Sequence, residues 1–484
     1  MTRTPAKRIA AVIAAAALVL PQLATSTAQA TGADTADWLA SRMSEQVTGA
    51  NAASHLRELM KLTAANGGHR DSASPAYSAS ADYLTGKLQA AGYRVQRQEF
   101  TFRDYAIHSE RAEVVSPNPR SLRPLIARFT VSTPAAGLTA AVAVPAVKDT
   151  GCTAADYAGQ DVRGKIVLVR VGDCFITQKQ LTAASVGAVA MLMNADSPNP
   201  DLNLRYRMVP PEDAKIPVAT LPRGESEQLA ADAAGGPVTV RLDLRGADTN
   251  TKTFNLLADT PTGRADNTVV MGAHLDSVDT TPGANDNAAA SATVLETALQ
   301  LKRYAPLLRN KVRFAWWAAE EKGLSGSQYY VDQLTPEQRT QTALYLNLEM
   351  IGSPNFARQV YSGQTPEGPA PAGSTKISQL VRGYFAEQKL PTVDLVLDGR
   401  SDHTAFVNAG IAAGGVNAGS DRVKPAEWVE LFGGVAGQML DPCYHQRCDG
   451  YDNVNQTIFD QFSRSMAWAV GRFAVTTADV NGRH

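Results

Sequence analysis

The hydrophobic pattern changes character three times along the chain. From about 31 to 91 apolar residues recur with helical spacing. Leu56, Leu59, Met60 and Leu62 form one stripe, and Tyr83, Leu84, Leu88 and Ala91 another. Gly92 predicts the end of that second helix, and the alternation of YRVQRQEFTF (93–102) predicts a strand. Between 127 and 251 short apolar runs dominate. GKIVLVRVG (164–172), GAVAMLMNAD (187–196) and IPVATLP (216–222) predict strands, TVRLDL (239–244) alternates, and 178–186 predicts a short helix. After 251 strands and helices alternate again. Strands are predicted at 267–272, 311–319 and 343–351. Helices are predicted at 286–303, with Val294, Leu295, Ala298, Leu299 and Leu301 inward, from Gly323, and at 458–473. This alternation predicts an α/β fold, a mostly parallel mixed sheet with helices on both faces. The 127–250 segment reads as a small α/β domain inserted between 31–126 and 251–484.

The first thirty residues differ from the rest. Arg3, Lys7 and Arg8 precede an apolar run at 9–20, and Ala28-Gln29-Ala30 offers a small-x-small cleavage site. That arrangement predicts a secretory signal peptide over 1–30, cut after Ala30, and an extracellular mature protein. The run is short for a bilayer span, so no membrane anchor is expected. Lys and Arg total 46 against 47 Asp and Glu, a net charge of −1, which gives no support for nucleic acid or a charged membrane as partner. A monomer is the expectation. Export changes the meaning of the four cysteines, which in an oxidising compartment read as disulfides. Local pairing, Cys152 with Cys174 and Cys443 with Cys448, is the expectation among the three possible connectivities.

The chemistry concentrates in a few positions. His274 and Asp276 follow a strand of small and β-branched residues, and Asp286 opens the next helical pattern. His and Asp are ligands for borderline-hard divalent ions, and strand ends are where open α/β sheets build sites. Glu320 and Glu321 close the strand containing Phe314, Trp316 and Trp317. An adjacent Glu pair is ordinarily a solvated surface feature, but carboxylates ending so apolar a strand call for a role. Glu349 lies inside the apolar run LYLNLEMIG, where a charge needs a partner or a cation. Tyr444 and His445 sit between Cys443 and Cys448, whose disulfide would hold the loop. Asp402-His403 reads as supporting structure rather than as a ligand pair.

Together these residues imply two-metal hydrolysis. His274 and Glu349 would serve one ion, Glu321 and His445 the other, and Asp286 both; the ions would share a water between them. Glu320 is left free as general base, Asp276 would fix the tautomer of His274, and Tyr444 would donate to the oxyanion. Ligands of nitrogen and oxygen without cysteine favour zinc, two Zn2+ per chain. Whether calcium also binds is not decided by the sequence.

The runs GAHLDSV, GANDNAAAS, FAWWAAEEKGLSGS, LNLEMIGSPN, GRSDHTAF and CYHQRCDGYDNVN resemble, in this order, the secreted co-catalytic di-zinc aminopeptidases. The segment NGGHR (66–70) resembles that family's amino-terminal part. The run GCTAADYAGQDVRGKIVLVRVGDC with ASVGAVAMLMNAD resembles a protease-associated domain, non-catalytic and guiding substrate access. The resemblance implies removal of amino-terminal, often large and apolar, residues from peptides. It implies that Glu320, Glu349 and the backbone carbonyl of Arg400 hold the free amine, and that a cis peptide follows Asp286. It also supports the Cys152–Cys174 pairing. One position departs from the family pattern: Glu349 stands where Asp is usual. A metallocarboxypeptidase on the same scaffold is therefore the alternative.

Overall fold

The computed structural model describes residues 1–2, 32–195 and 197–483. The expected leader lies outside the described residues except for its first two positions. Among the described residues no helix is long and apolar enough to cross a membrane.

Three helices open the fold, Gly32–Gln46, Gly49–Ala65 and Pro75–Ala90. Local chemistry sets their starts. Thr48 accepts the Asn51 N–H, and Ser74 accepts the Tyr77 N–H with Pro75 in the first turn. The main strands that follow are β1 (Arg94–Ser116), β2 (Leu138–Ala143), β3 (Ile166–Val169), β4 (Ala190–Asn194), β5 (Val218–Leu221), β6 (Thr239–Asp259), β7 (Arg264–His274), β8 (Asn310–Trp317), β9 (Thr342–Glu349) and β10 (Ala413–Asn417). β8, β7, β9 and β10 lie side by side and parallel, and β6 joins antiparallel at the β8 edge. The sheet is the mixed, mostly parallel one that the sequence predicts.

Side-chain alternation assigns the two faces. Val269, Met271, Phe314, Trp316, Leu344 and Leu346 pack into the larger core with the amino-terminal helices and the helices Ala289–Leu301 and Gln456–Phe473. Val270, Ala315, Trp317, Tyr345 and Ala413 face the opposite core with Tyr330 and Phe406. Both faces are thus covered, which is why these strands read as nearly unbroken apolar runs.

Two elements exceed the sequence-based expectation. The strand expected at 93–102 continues to Ser116, and the one expected at 239–244 continues to Asp259. They pair antiparallel along almost their whole length as one long ribbon. At one end the ribbon borders β8; at the other β6 pairs with β2, whose parallel neighbours β3, β4 and β5 form the insert sheet. The insert core accordingly includes Tyr105, Ala112 and Val114 from β1. The helix expected from 286 begins at Ala289, because Asp286 and Asn287 have dihedrals outside the helical region.

Arg70 ties the amino-terminal helices to the strand ends. It is fully buried. Its guanidinium donates to the carbonyls of Leu275 (3.0 Å), Gly283 (2.7 Å) and Pro282, and to Thr63 Oγ1 (3.2 Å). Burial lowers its pKa to about 10. Arg70→Met would leave three inward carbonyls unpaired. The expected cost is about 3–5 kcal/mol, or a Tm lower by roughly 5 °C, read by calorimetry. A Tm within a degree or two of wild type would contradict this role.

Candidate metal centre

The sheet delivers the key side chains to one end of its central strands. His274 is the last residue of β7, and Glu349 the last of β9. Glu320 and Glu321 leave β8 in a tight turn. The Gly323 and Leu324 N–H groups both donate to the Glu320 carbonyl at 2.8 Å, and Ser325 N–H donates to the Ala319 carbonyl at 2.9 Å. Asp286 comes from the irregular segment before the helix Ala289–Leu301, and its bond to Asn287 is cis. His445 comes from the loop closed by Cys443–Cys448; the second disulfide joins Cys152 and Cys174. Four non-glycine residues here have left-handed backbones, Ala319 before Glu320, Leu324 in the turn after it, Met350 after Glu349, and His445 itself. Such conformations concentrate where a side chain must be aimed.

The five expected groups converge. His274 Nε2 lies 3.2 Å from Asp286 Oδ1 and 3.4 Å from Glu349 Oε1. His445 Nε2 lies 3.3 Å from Asp286 Oδ2 and 3.2 Å from Glu321 Oε2. Asp286 therefore turns one carboxylate oxygen to each histidine. In each trio the ligand-type atoms lie within 4.8 Å of one another, an arrangement that could hold a metal ion. Two atoms of these residues, Glu321 Oε1 and His445 Nε2, are buried and make no hydrogen bond. Buried polar atoms left in this state call for a cation.

Electrostatics point the same way. Burial works against charge on His445, but Glu321 and Asp286 outweigh it and raise its pKa to about 10. His274 is likewise raised against burial, by Glu349 and Glu320. Burial favours the acid form of Asp286, yet its close contacts with both histidines hold it below the usual carboxylate range. The centre attracts positive charge, and nitrogen and oxygen donors without cysteine suit zinc. Glu320 faces the same cavity, of about 230 Å³, together with Tyr361, Leu395, Val396, Arg400 and Tyr444. Burial, reinforced by Glu321, Glu349 and Asp402, pushes Glu320 well above the ordinary range. Burial also pushes up the Tyr444 phenol, which stacks on the His445 ring at 3.8 Å.

Two known proteins extend across most of this chain. The aminopeptidase of Pseudomonas aeruginosa is 35% identical over 455 residues, which is 89% of this chain and 82% of the relative. The probable lipoprotein aminopeptidase LpqL of Mycobacterium tuberculosis is 37% identical over 436 residues, 88% of this chain and 85% of the relative. The chain belongs to peptidase family M28. The family profile matches residues 255–470, which contain every group of the centre, and a PA domain profile matches 138–229 within the insert. BSAP, a zinc aminopeptidase from Bacillus subtilis, has the same fold, with a TM-score of 0.67 and 23% identity over 88% of this chain and 94% of BSAP.

In this M28 chain Asp276 differs from its sequence-based reading. The His274 Nδ1 bond goes to the Asp276 carbonyl at 3.0 Å, while the nearer carboxylate oxygen stands at 3.6 Å. The carboxylate instead accepts the backbone N–H groups of Glu320 (3.2 Å) and Glu321 (3.3 Å). Arg400 spends its guanidinium on Asp421, at 3.0 and 3.2 Å. Asp402 and His403 are buried and belong to neither trio. Burial lowers the His403 pKa to about 3, which keeps the ring neutral against Tyr361.

Other residues of the site escaped the sequence reading. Ser401 donates to Glu349 Oε2 at 2.6 Å, which leaves Oε1 for the His274 side. Asp449 accepts the N–H groups of Asn285 (2.8 Å) and Asp286 (3.1 Å). Asn287 donates to the Leu348 carbonyl and accepts from Met350 N–H, each at 3.0 Å, and so clamps the backbone on either side of Glu349. The available signal was the pair of asparagines flanking Asp286 in GANDNAAAS.

Proposed function

We propose that this chain is an exported di-zinc aminopeptidase that removes amino-terminal residues, preferably large and apolar, from peptides. The observation that carries the reading is the shared carboxylate of Asp286, one oxygen toward each histidine. His274, Asp286 and Glu349 would hold one zinc ion, and Asp286, Glu321 and His445 the other. Bound there, the two ions would supply Lewis-acid chemistry, polarising the scissile carbonyl and acidifying the attacking water.

The remaining steps belong to the chain. Glu320 takes the proton from the attacking water and gives it to the leaving amine; the burial that raises its proton affinity suits both halves of that transfer. Tyr444, kept protonated by burial, donates to the developing oxyanion. Asp276 fixes the turn carrying Glu320 and Glu321 through their backbone N–H groups. Glu320, Glu349 and the Arg400 carbonyl hold the free amine. Leu395, Val396 and Tyr361 line the cavity for an apolar side chain. The longer Glu349 is accommodated by Ser401, which anchors one of its oxygens. The proposed division gives 127–250 to the insert and 31–126 with 251–484 to the peptidase domain. Two disulfides fit an oxidising compartment.

Leucine p-nitroanilide and an N-acetylated dipeptide with a free carboxylate separate the two exopeptidase readings. Turnover of the anilide alone is expected. Turnover of only the blocked dipeptide would establish a carboxypeptidase and overturn the proposal.

A further inference from the structure

A second cavity, of about 110 Å³, lies between the insert and the peptidase domain. It shares Glu321 and His445 with the first cavity, so the two adjoin across that side of the centre. Its wall carries four cations, Arg128, Arg205 and Arg207 from the insert and Lys322 from the turn after β8, beside the carboxylates of Asp104, Asp279 and Glu321. Three of these charges are matched. Arg128 pairs with Asp104 at 2.8 Å, Arg205 with Glu110 at 2.8 Å, and Lys322 with Asp71 at 2.6 Å.

Arg207 is different. Its guanidinium donates to the Lys322 carbonyl at 3.3 Å and makes no ion pair with any carboxylate among the described residues. Burial and the neighbouring charge of Arg128 both press its pKa down, the mark of a cation without a counter-charge. Asp279 lines the same cavity and is held ionised, against burial, by Lys322, Arg205 and Arg128. Arg207 is also fixed in place. Its neighbours bridge to residue 128, with Arg128 N–H donating to the Tyr206 carbonyl at 2.8 Å and Met208 N–H to the Arg128 carbonyl at 2.9 Å. Its Nη1 lies so close over the turn that a Cβ on Gly323 would fall 1.4 Å from it.

We infer that Arg207 and the cavity around it form a subsite for a carboxylate on the leaving side of the substrate. The inference rests on the aminopeptidase reading. If the amine is held at Glu349 and Arg400 in the first cavity, only the part of the peptide beyond the scissile bond reaches the second. The insert would then select substrates by charge as well as limit their access. The carboxylate has two sources, the free terminus of a short peptide or an acidic side chain within a longer one.

The test compares Leu-Gly, Leu-Gly-Gly and Leu-Gly-Gly-Gly as free acids and as carboxamides, with Leu-Gly-Asp-amide and Leu-Gly-Gly-amide as the side-chain arm. The acid form of at least one pair should show a kcat/KM about tenfold above its neutral counterpart, the size of one charge-assisted hydrogen bond in a partly exposed site. Preference for free acids assigns the terminus, and preference confined to the Asp peptide assigns the side chain. In Arg207→Met the acid-to-neutral ratio should fall toward one; because it is measured within each variant, any general damage cancels. Equal kcat/KM within every pair for the wild-type enzyme, or an unchanged ratio in Arg207→Met, overturns the subsite and leaves the aminopeptidase reading standing. A wild-type enzyme that cleaves none of these peptides nor leucine p-nitroanilide overturns both.

Discussion

Glu320→Gln is expected to retain two bound zinc ions while kcat falls by about 10²–10⁴-fold or more. The substitution keeps the shape of the side chain and removes only its capacity to accept a proton. Glu320 lines the cavity but belongs to neither trio around Asp286, so no metal donor is lost. Its burial beside Glu321, Glu349 and Asp402 already strains it as an anion, and a neutral amide there should not unfold the chain. The loss is therefore expected in kcat, with zinc content and Tm near wild type. A rate near wild type would show that the proton travels through another group. Loss of an ion would show that Glu320 is a ligand.

Asp286→Ala should have the larger consequence. It removes both oxygens that face the histidines, 3.2 Å from His274 and 3.3 Å from His445. Each remaining trio becomes a pair, too few donors for a stable zinc site. Zinc content below one per chain and no turnover above background are expected. Glu321→Ala, which disturbs only the His445 trio, should retain about one zinc. Elemental analysis of the dialysed variants reads both numbers. Two tightly held ions in Asp286→Ala would remove the shared carboxylate from the account.

Much of this centre was legible because its groups interrupt otherwise apolar strands. His274 and Glu349 each end an apolar strand and Glu321 follows closely on a third, and the five-residue spacing of Cys443 and Cys448 marks the loop of His445. What escaped notice works through the backbone or across long sequence distances. Arg70 acts on the carbonyls of Leu275, Pro282 and Gly283, and no local pattern announces that. Ser401 touches Glu349 from 52 positions away. Asp276 invites a reading through its carboxylate, yet its carbonyl meets the histidine. The long ribbon was missed because β1 alternates between buried, half-buried and exposed positions without a steady period where it leaves the main core. The helix expected from 286 starts three residues later because the backbone at Asp286 and Asn287 is turned out of the helical region.

Anomalous X-ray diffraction at the zinc edge is the most direct measurement. The expected map has two peaks about 3.5–4 Å apart, one between His274 and Glu349 and the other between Glu321 and His445, with Asp286 reaching both. A single peak, or zinc bound away from Asp286, contradicts the two-metal account.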